Sequence, residues 1–352
     1  MNATKLEMTV VAITALLALA PVVVAQKGPA PVDLGTLGGT YSAASGVNSK
    51  DVAVGASTLE GDTYTHAFVR LAGTLTDLGT LIGPTGNSAA VAINSGIAGT
   101  SDFNITDPNS GIVYTVTHSF YYTSPSTGMV DIGTVGGDTT YATYVRSGNV
   151  VGSSLTADDT ATHAFLWQAS TGMMKDLNTL PGGTTSKANG VNQNGGKVVG
   201  SSDVPDGSVH ATMWVTASNQ ILDMGTIGGS FAEANAINAY GLVVGDGTTV
   251  GDATTDAFVG VYGALIDIGN LGGSYATASA ATDSGVVVGF SNTTNDADVH
   301  AFVWTARGGM VDLNSLLPVN SPWDLQAAAS IAPDGTIVGV GIINGEYHAF
   351  SW

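Results

Sequence analysis

Apolar residues in this chain fall in short runs, each closed by glycine or a small polar residue. Runs such as "VVGSS" at 150–154, "LVVGDG" at 242–247 and "TIVGVG" at 336–341 are too short for helices and rich in β-branched side chains. Between them stand turn formers such as "QNGG" at 193–196 and "AYG" at 239–241. A second kind of run opens on histidine: "THAFVR" at 65–70, "THAFLWQ" at 162–168, "VHAFVW" at 299–304. Beyond the first residues, no segment sustains a helical period over three turns. The pattern predicts strands throughout.

The runs recur in a fixed order. An Asp-[Leu/Ile/Met]-[Gly/Asn] unit falls at Asp33, Asp77, Asp131, Asp176, Asp223, Asp267 and Asp312, at intervals of 44 to 54 residues. A glycine pair usually follows ("GTLGG", "GTVGG", "GTIGG"), then a stretch of small residues ("SAASGVN", "KANGVN"), a turn, a "VVG" run, a polar loop, the "HAF" run and another turn. Each repeat therefore predicts four strands: A (small residues), B ("VVGxS"), C ("HAFxW") and D (ending in "DLG"). Four strands in about 45 residues make one blade of a β-propeller. Small side chains suit A as the crowded innermost strand, and B and C are apolar on both faces, as expected of blades packed between neighbours.

The expected fold is all-β: a seven-bladed β-propeller of four-stranded blades, formed by residues 26–352 as one domain with repeats starting near 33, 77, 131, 176, 223, 267 and 312. The first "VDL" has no A, B or C before it, and the last "HAFSW" has no D after it. The segment around Val32–Leu34 is expected to complete the last blade beside Ala349–Trp352 and close the ring. Exchanged onto a neighbour, that strand would instead chain subunits together, so monomer and strand-exchanged assembly are both open.

Composition narrows the setting. Of 352 residues 44% are hydrophobic, which supports a large core without any cysteine for disulfides. Only 11% are charged, and 28 acidic against 9 basic residues give a net charge of −19. That charge excludes nucleic acid as a partner. Residues 1–25 combine Lys5, an apolar run, Pro21, and small residues Val23 and Ala25 ahead of a cleavage point. They read as a signal peptide, with a retained anchor the other reading; the apolar run is short for a span of roughly 20 residues. The expected location is extracellular or in the cell envelope, with no membrane span after signal cleavage.

Histidine is the usual suspect for catalysis, yet all six here (His66, His118, His163, His210, His300 and His348) head a C strand. Folding the C–D hairpin about its turn sets His300 against Asp312 to within a residue, and likewise His163 against Asp176. The remaining pairs are His66–Asp77, His118–Asp131, His210–Asp223 and, across the closure, His348–Asp33. A residue repeated in every blade but one is structural, and each pair is expected to be a charge-assisted fastener. The exception is Asp256, which faces Asp267. Two carboxyls there must share a proton, take a water or bind a cation, so this pair is the candidate metal site.

The "HAF" stretches, each beside "DLG" or "DIG" and "VVG", resemble the HAF family of extracellular repeat proteins over essentially all of residues 33–352. "HSFYY", "HATMW" and "DAFVG" are degenerate copies. The resemblance implies an exported bacterial or archaeal repeat protein and brings no catalytic residue set with it. The four-strand unit is also similar in architecture to tryptophan–aspartate repeat propellers.

Candidate function sits on the loops between B and C, every one of which carries a carboxylate. Asp62, Asp107, Asp158, Asp159, Asp206, Asp252, Asp296 and Asp298 are the candidate binding residues, with Glu60, Asp102, Asp203, Asp246 and Glu346 also assigned to these loops. Trp323, outside the repeat pattern, is a candidate ligand platform. The acidic face suits a glycan, protein or other surface ligand; no cofactor is required, and calcium is the cation such oxygen-rich loops could take. Enzyme readings fare worse. No histidine is free for a Ser–His–Asp triad, and Arg70, Arg146 and Arg307 lie in different repeats. A secreted glycosidase using rim carboxylates is the alternative to a non-catalytic binding or adhesion module.

Overall fold

The computed structural model describes residues 29–261 and 263–352; the expected signal peptide at 1–25 lies outside them. Among the described residues no helix is long and apolar enough to cross a membrane. The fold is all-β, built of four-stranded antiparallel sheets of the β-propeller kind. The first sheet runs A to D through Gly38–Val47, Ala53–Leu59, Thr65–Leu71 and Thr74–Asp77. The repeats at 88–131, 140–176 and 186–225 follow the same order. Those at 232–269 and 272–312 also form four-stranded units, joined by one parallel pair, Thr255 with Tyr275.

The last sheet takes A, B and C from Trp323–Ile331, Ile337–Ile343 and Glu346–Ser351. Its fourth strand comes from the other end of the chain: Val32 pairs with Ser351 and Asp33 with Phe350. The pairing is within one chain, and the Leu34 N–H adds a bond of 2.9 Å to the Ala349 carbonyl.

Two motifs explain each other. The glycine of "VVG" lies opposite the phenylalanine of "HAF" in the B–C ladder, as in Gly152 with Phe165 and Gly289 with Phe302. A Cβ on Gly289 would come within 2.9 Å of the Phe302 ring and 2.0 Å of the Thr277 carbonyl. Only glycine lets the ring lie flat on the B strand. Phe68, Phe120, Phe165, Phe258, Phe302 and Phe350 are all fully buried. Each contributes on the order of 1.5–3 kcal/mol by burial. The fourth repeat has Thr212 instead and buries Met213 beside it.

Apolar clusters bridge successive sheets, and one of them joins the ends of the chain. Phe68, Ala44 and Ala53 of the first sheet pack with Ala332, Val338 and Ala349 of the last. Hydroxyls of the A strands stitch the same seams. After four of the six C-strand histidines the next N–H donates to the neighbouring sheet: Ala67 to Ser88 at 2.8 Å, Ser119 to Thr140 at 2.8 Å and Ala164 to Ser186 at 2.9 Å. Ala349 donates to Ser42 at 2.9 Å in the same way.

The A strands sit side by side, and that of the last repeat touches that of the first. They enclose a cavity of about 380 Å³ lined by one equivalent residue from each repeat: Ser45, Val91, Thr143, Asn189, Asn235, Ser279 and Ala329. The small-residue A strands line this cavity. One expected loop is not a loop: residues 101–117 continue a hairpin of strands Ile97–Thr106 and Val113–Tyr122, with its turn at 107–112.

Candidate functional site

The six histidines all bond through Nδ1. The distances to carboxylate oxygen are 2.8 Å for His66–Asp77, His300–Asp312 and His348–Asp33. They are 2.9 Å for His118–Asp131, His163–Asp176 and His210–Asp223. The register differs from direct opposition: Asp312 pairs with Phe302, and Asp176 with Phe165, two residues beyond the histidine. The fastener is therefore a diagonal contact on one face of the hairpin, within reach because side chains two apart share a face. In each pair the histidine Nδ1–H donates to the carboxylate.

The same six aspartates, with Asp267, explain "D-x-G". Each accepts the backbone N–H two residues on, from Gly35, Gly79, Gly133, Asn178, Gly225, Gly269 and Asn314, at 2.7–2.9 Å. Six of those seven acceptor turns place the third residue at positive φ, which favours Gly or Asn. Burial raises the Asp131 carboxyl, but the bonds from His118 and Gly133 outweigh it and hold the group below its ordinary value.

In the fifth repeat Asp256 takes the histidine's place and is 8% exposed. The Asn270 amide donates to it at 2.7 Å, from a position that is threonine in most other repeats. Burial, and then the Asp256 charge, push the Asp267 carboxyl up. An amide and a proton-favouring carboxyl thus accommodate the pair. Among the described residues no group of three or more His, Cys, Asp or Glu converges on a metal-sized site.

The rim carboxylates turn out to be well bonded internally. Asp62, Asp159, Asp252 and Asp296 occupy the same place in tight turns and accept the backbone N–H just after the glycine pair, from Thr40, Asp138, Ser230 and Ser274 at 2.7–2.8 Å. The glycine pair is needed for that reach. Gly38 has φ of +110°, and a Cβ on Gly39 would lie 2.4 Å from the Asp62 carboxylate. Asp158 fills the left-handed position beside Asp159, at φ of +67°. Asp107 caps the tip of the long hairpin through the Asn109 N–H at 2.7 Å, and Asp206 holds Ser208 at 2.9 Å. Asp298 is exposed.

These bonds lower the acids: the Thr58 hydroxyl and then the Thr40 N–H act on Asp62, and the Ser230 N–H and then the Thr248 hydroxyl on Asp252. Asp296 is held down by Ser274, then Asn292.

Two expectations need correction. Trp323 is 6% exposed and meets Phe350 edge-on at 6.1 Å, so most of its ring belongs to the core rather than to an open platform. Asp246 is not a loop residue: it lies within strand Val243–Thr248 and is 6% exposed, and Asp102, Asp203 and Glu346, assigned to the same loops, also lie in strands.

Asp246 belongs to a cleft of about 480 Å³ between the fifth and sixth repeats. Its walls include Phe231, Tyr275 and Phe290, with Glu233, Asn235 and Thr277. Glu233 lies directly opposite Asp246 in the A–B ladder, an arrangement of like charges that ordinarily destabilises a sheet. Lys187 meets Glu233 at 3.0 Å. Asp246 Oδ1 accepts from Asn235 at 2.8 Å and from Thr277 at 2.7 Å, whereas Oδ2 has no protein partner. Burial is the main cause that raises the Asp246 carboxyl, and burial with the two nearby carboxylates pushes the Tyr275 hydroxyl up to about 12. Asn235 and Ser279 line both this cleft and the central cavity.

No protein-family model matches the chain, and no curated protein does. Among solved structures it is similar to a puromycin hydrolase mutant complexed with PGG, at 14% identity and a TM-score of 0.53, over 93% of this chain and 52% of that one. TolB from Acinetobacter baumannii gives 9% identity and a TM-score of 0.46, over 72% of this chain and 63% of that one. The β-propeller domain of the Trilobed protease from Pyrococcus furiosus gives 9% and 0.47, over 89% and 95%. The chain spans about half of the hydrolase and under two thirds of TolB. At such identity the hydrolase likeness concerns the fold alone.

The cleft was visible in the sequence only as a break in columns. The Asp246 column otherwise holds Ala56, Thr100, Ser153, Ser201, Phe290 and Val340. The Glu233 column holds Ala43, Ala89, Tyr141, Lys187, Thr277 and Ala327. Reading across repeats for the odd residue, rather than along loops for acids, would have found both.

Proposed function

We propose that the chain is a non-catalytic binding module built on a seven-bladed ring closed by its N-terminal strand, taking its ligand in the cleft between the fifth and sixth repeats. The observation that carries this reading is Asp246: a buried carboxylate whose Oδ2 has no protein partner, in a cleft also lined by Phe231, Tyr275 and Phe290. A strands in contact from each repeat to the next, and from the last to the first, support the ring. The leader-like first 25 residues and the HAF resemblance support a place outside the cytoplasm. The bonded rim aspartates still carry charge and would concentrate cations near the cleft.

A ligand screen on the purified chain, repeated on Asp246→Ser and Phe290→Val, tests the reading. Both substitutions borrow residues that other repeats carry in the same column. Binding lost in both, with no fall in melting temperature, supports the cleft; binding unaffected by both overturns it. Calcium on the rim is tested separately: a melting temperature unmoved by EDTA or by added calcium removes it.

A secreted glycosidase is the second reading, favoured by one observation: Glu233 and Asp246 face each other with the Asp246 carboxyl raised by burial, as a general acid requires. Against it, Glu233 is neutralised by Lys187. Hydrolysis of nitrophenyl glycosides that disappears in Glu233→Gln would establish it.

A further inference from the structure

We propose that the cleft between the fifth and sixth repeats recognises an organic ammonium group: a protonated amine or quaternary nitrogen seated against aromatic rings with Asp246 as its counter-ion. This rests on the binding-module reading and specifies its ligand class.

Three features converge. Asp246 is a nine-tenths-buried carboxylate whose Oδ2 has no protein partner, while Asn235 and Thr277 fix the other oxygen and so set the group's orientation. An oxygen that the protein leaves unmet at the wall of a cleft is open to a ligand that brings a donor or a positive charge. Tyr275 and Phe290, with ring centroids 5.9 Å apart, line the cleft with it, and Phe231 completes the wall. Rings attract a cation through their quadrupole. Lys187 balances one of the two carboxylates, which leaves the cleft with net charge −1 from Glu233, Asp246 and Lys187. An anion is repelled by that sum. A neutral sugar would satisfy the oxygen and leave the charge unanswered.

The seat is also local. Of the seven A–B ladders, only this one opposes two carboxyls, and only the next places an aromatic residue, Phe290, in the Asp246 column. An ammonium group would bridge two adjacent repeats, and its position beside Asn235 and Ser279 opens it to the central cavity.

The test titrates the full chain by calorimetry with n-butylammonium and tetramethylammonium. n-Pentanol and 3,3-dimethylbutanol serve as neutral analogues, methyl glucoside as a sugar, and potassium chloride as a bare cation. The expected result is saturable heat from the ammonium ions with at least tenfold weaker binding of the neutral analogues and of potassium. Asp246→Ser should lose at least tenfold and Phe290→Val several-fold. Met173→Gln, on an exposed strand of the third repeat, should bind as the unaltered chain does. Equal binding of ammonium and neutral analogue, or ammonium binding retained in Asp246→Ser, overturns the proposal. Binding of methyl glucoside alone overturns the ammonium class and leaves the module standing. If none of the probes binds, the ammonium proposal fails; a cleft-dependent hit in the wider ligand screen then decides whether the module reading survives.

Discussion

The fifth and sixth repeats share one backbone plan and differ in what fills its polar columns. The sixth keeps the common choices, with His300 on Asp312 at 2.8 Å and Ser291 bonded to the Leu271 N–H at 2.9 Å. The fifth has Asp256 for the histidine, Asn270 for the threonine and Asp246 where most repeats have a small residue. Yet Phe258 and Phe302 are equally buried on the same glycine of the same ladder. Packing is what all repeats must share. Polar fasteners are interchangeable one at a time, because the neighbours' ladders and seams hold each sheet in place. A repeat that gives up its fastener is free to place charge where the others cannot.

The packing half of that contrast predicts the largest effects. Phe302→Ala and Phe258→Ala should each cost about 3–5 kcal/mol in denaturant unfolding, by loss of a fully buried ring and the cavity it leaves. The two losses should match. A fifth-repeat loss under half of the sixth-repeat loss would mean that the repeats differ in packing as well as in charge.

The fastener half predicts opposite signs in the two repeats. His300→Ala should lower stability by about 1.5 kcal/mol, the lower range for a charge-assisted bond because both partners keep some contact with water. Asp256→His should raise it at neutral pH, by restoring the pair with Asp267. The sign follows from Asp267, whose carboxyl is raised by burial and then by the Asp256 charge. A raised acid stabilises the fold fully below its unfolded value and loses that contribution as pH rises through the raised value. The gain from Asp256→His should therefore be largest near pH 7 and shrink below the ordinary carboxylate range. A gain that grows in acid would show that Asp256 is not the charge disturbing Asp267.

The fold was legible in the sequence because its determinants repeat. "HAF", "VVG" and "DLG" are each one half of a contact, and their spacing is the hairpin register read along the chain. The register itself was two residues off, since hairpin arithmetic locates the turn but cannot tell opposed from diagonal contacts on one face. The rim aspartates were legible as acids and misread as free ones: their partners are backbone N–H groups such as Thr40 and Ser230, which no composition reveals. Trp323 looked special for standing outside the repeat, yet the same insertion folds back as the turn Leu313–Leu316 and buries it. The cleft was hidden because Asp246 sits in a strand whose neighbours along the chain are ordinary. Its meaning comes from Phe290 and Tyr275, in the next repeat.

Asp246 and the rim aspartates offer a smaller and sharper test, since the same residue type has been pushed in opposite directions. Asp246 is raised by burial, so Asp246→Ser should raise the melting temperature at pH 7 and bring little change near pH 3, where the native carboxyl is already protonated. Asp62 and Asp252 are lowered by the bonds they accept. A lowered acid contributes stability above its unfolded value and loses it as pH falls through the lowered value. Asp62→Asn and Asp252→Asn should therefore cost a little at pH 7 and nothing in strong acid. Melting curves of the three variants from strong acid up to pH 7 should open in opposite directions from a common acid end. If all three open the same way, the division between a strained cleft carboxylate and contented rim carboxylates is wrong, and Asp246 is only another fastener.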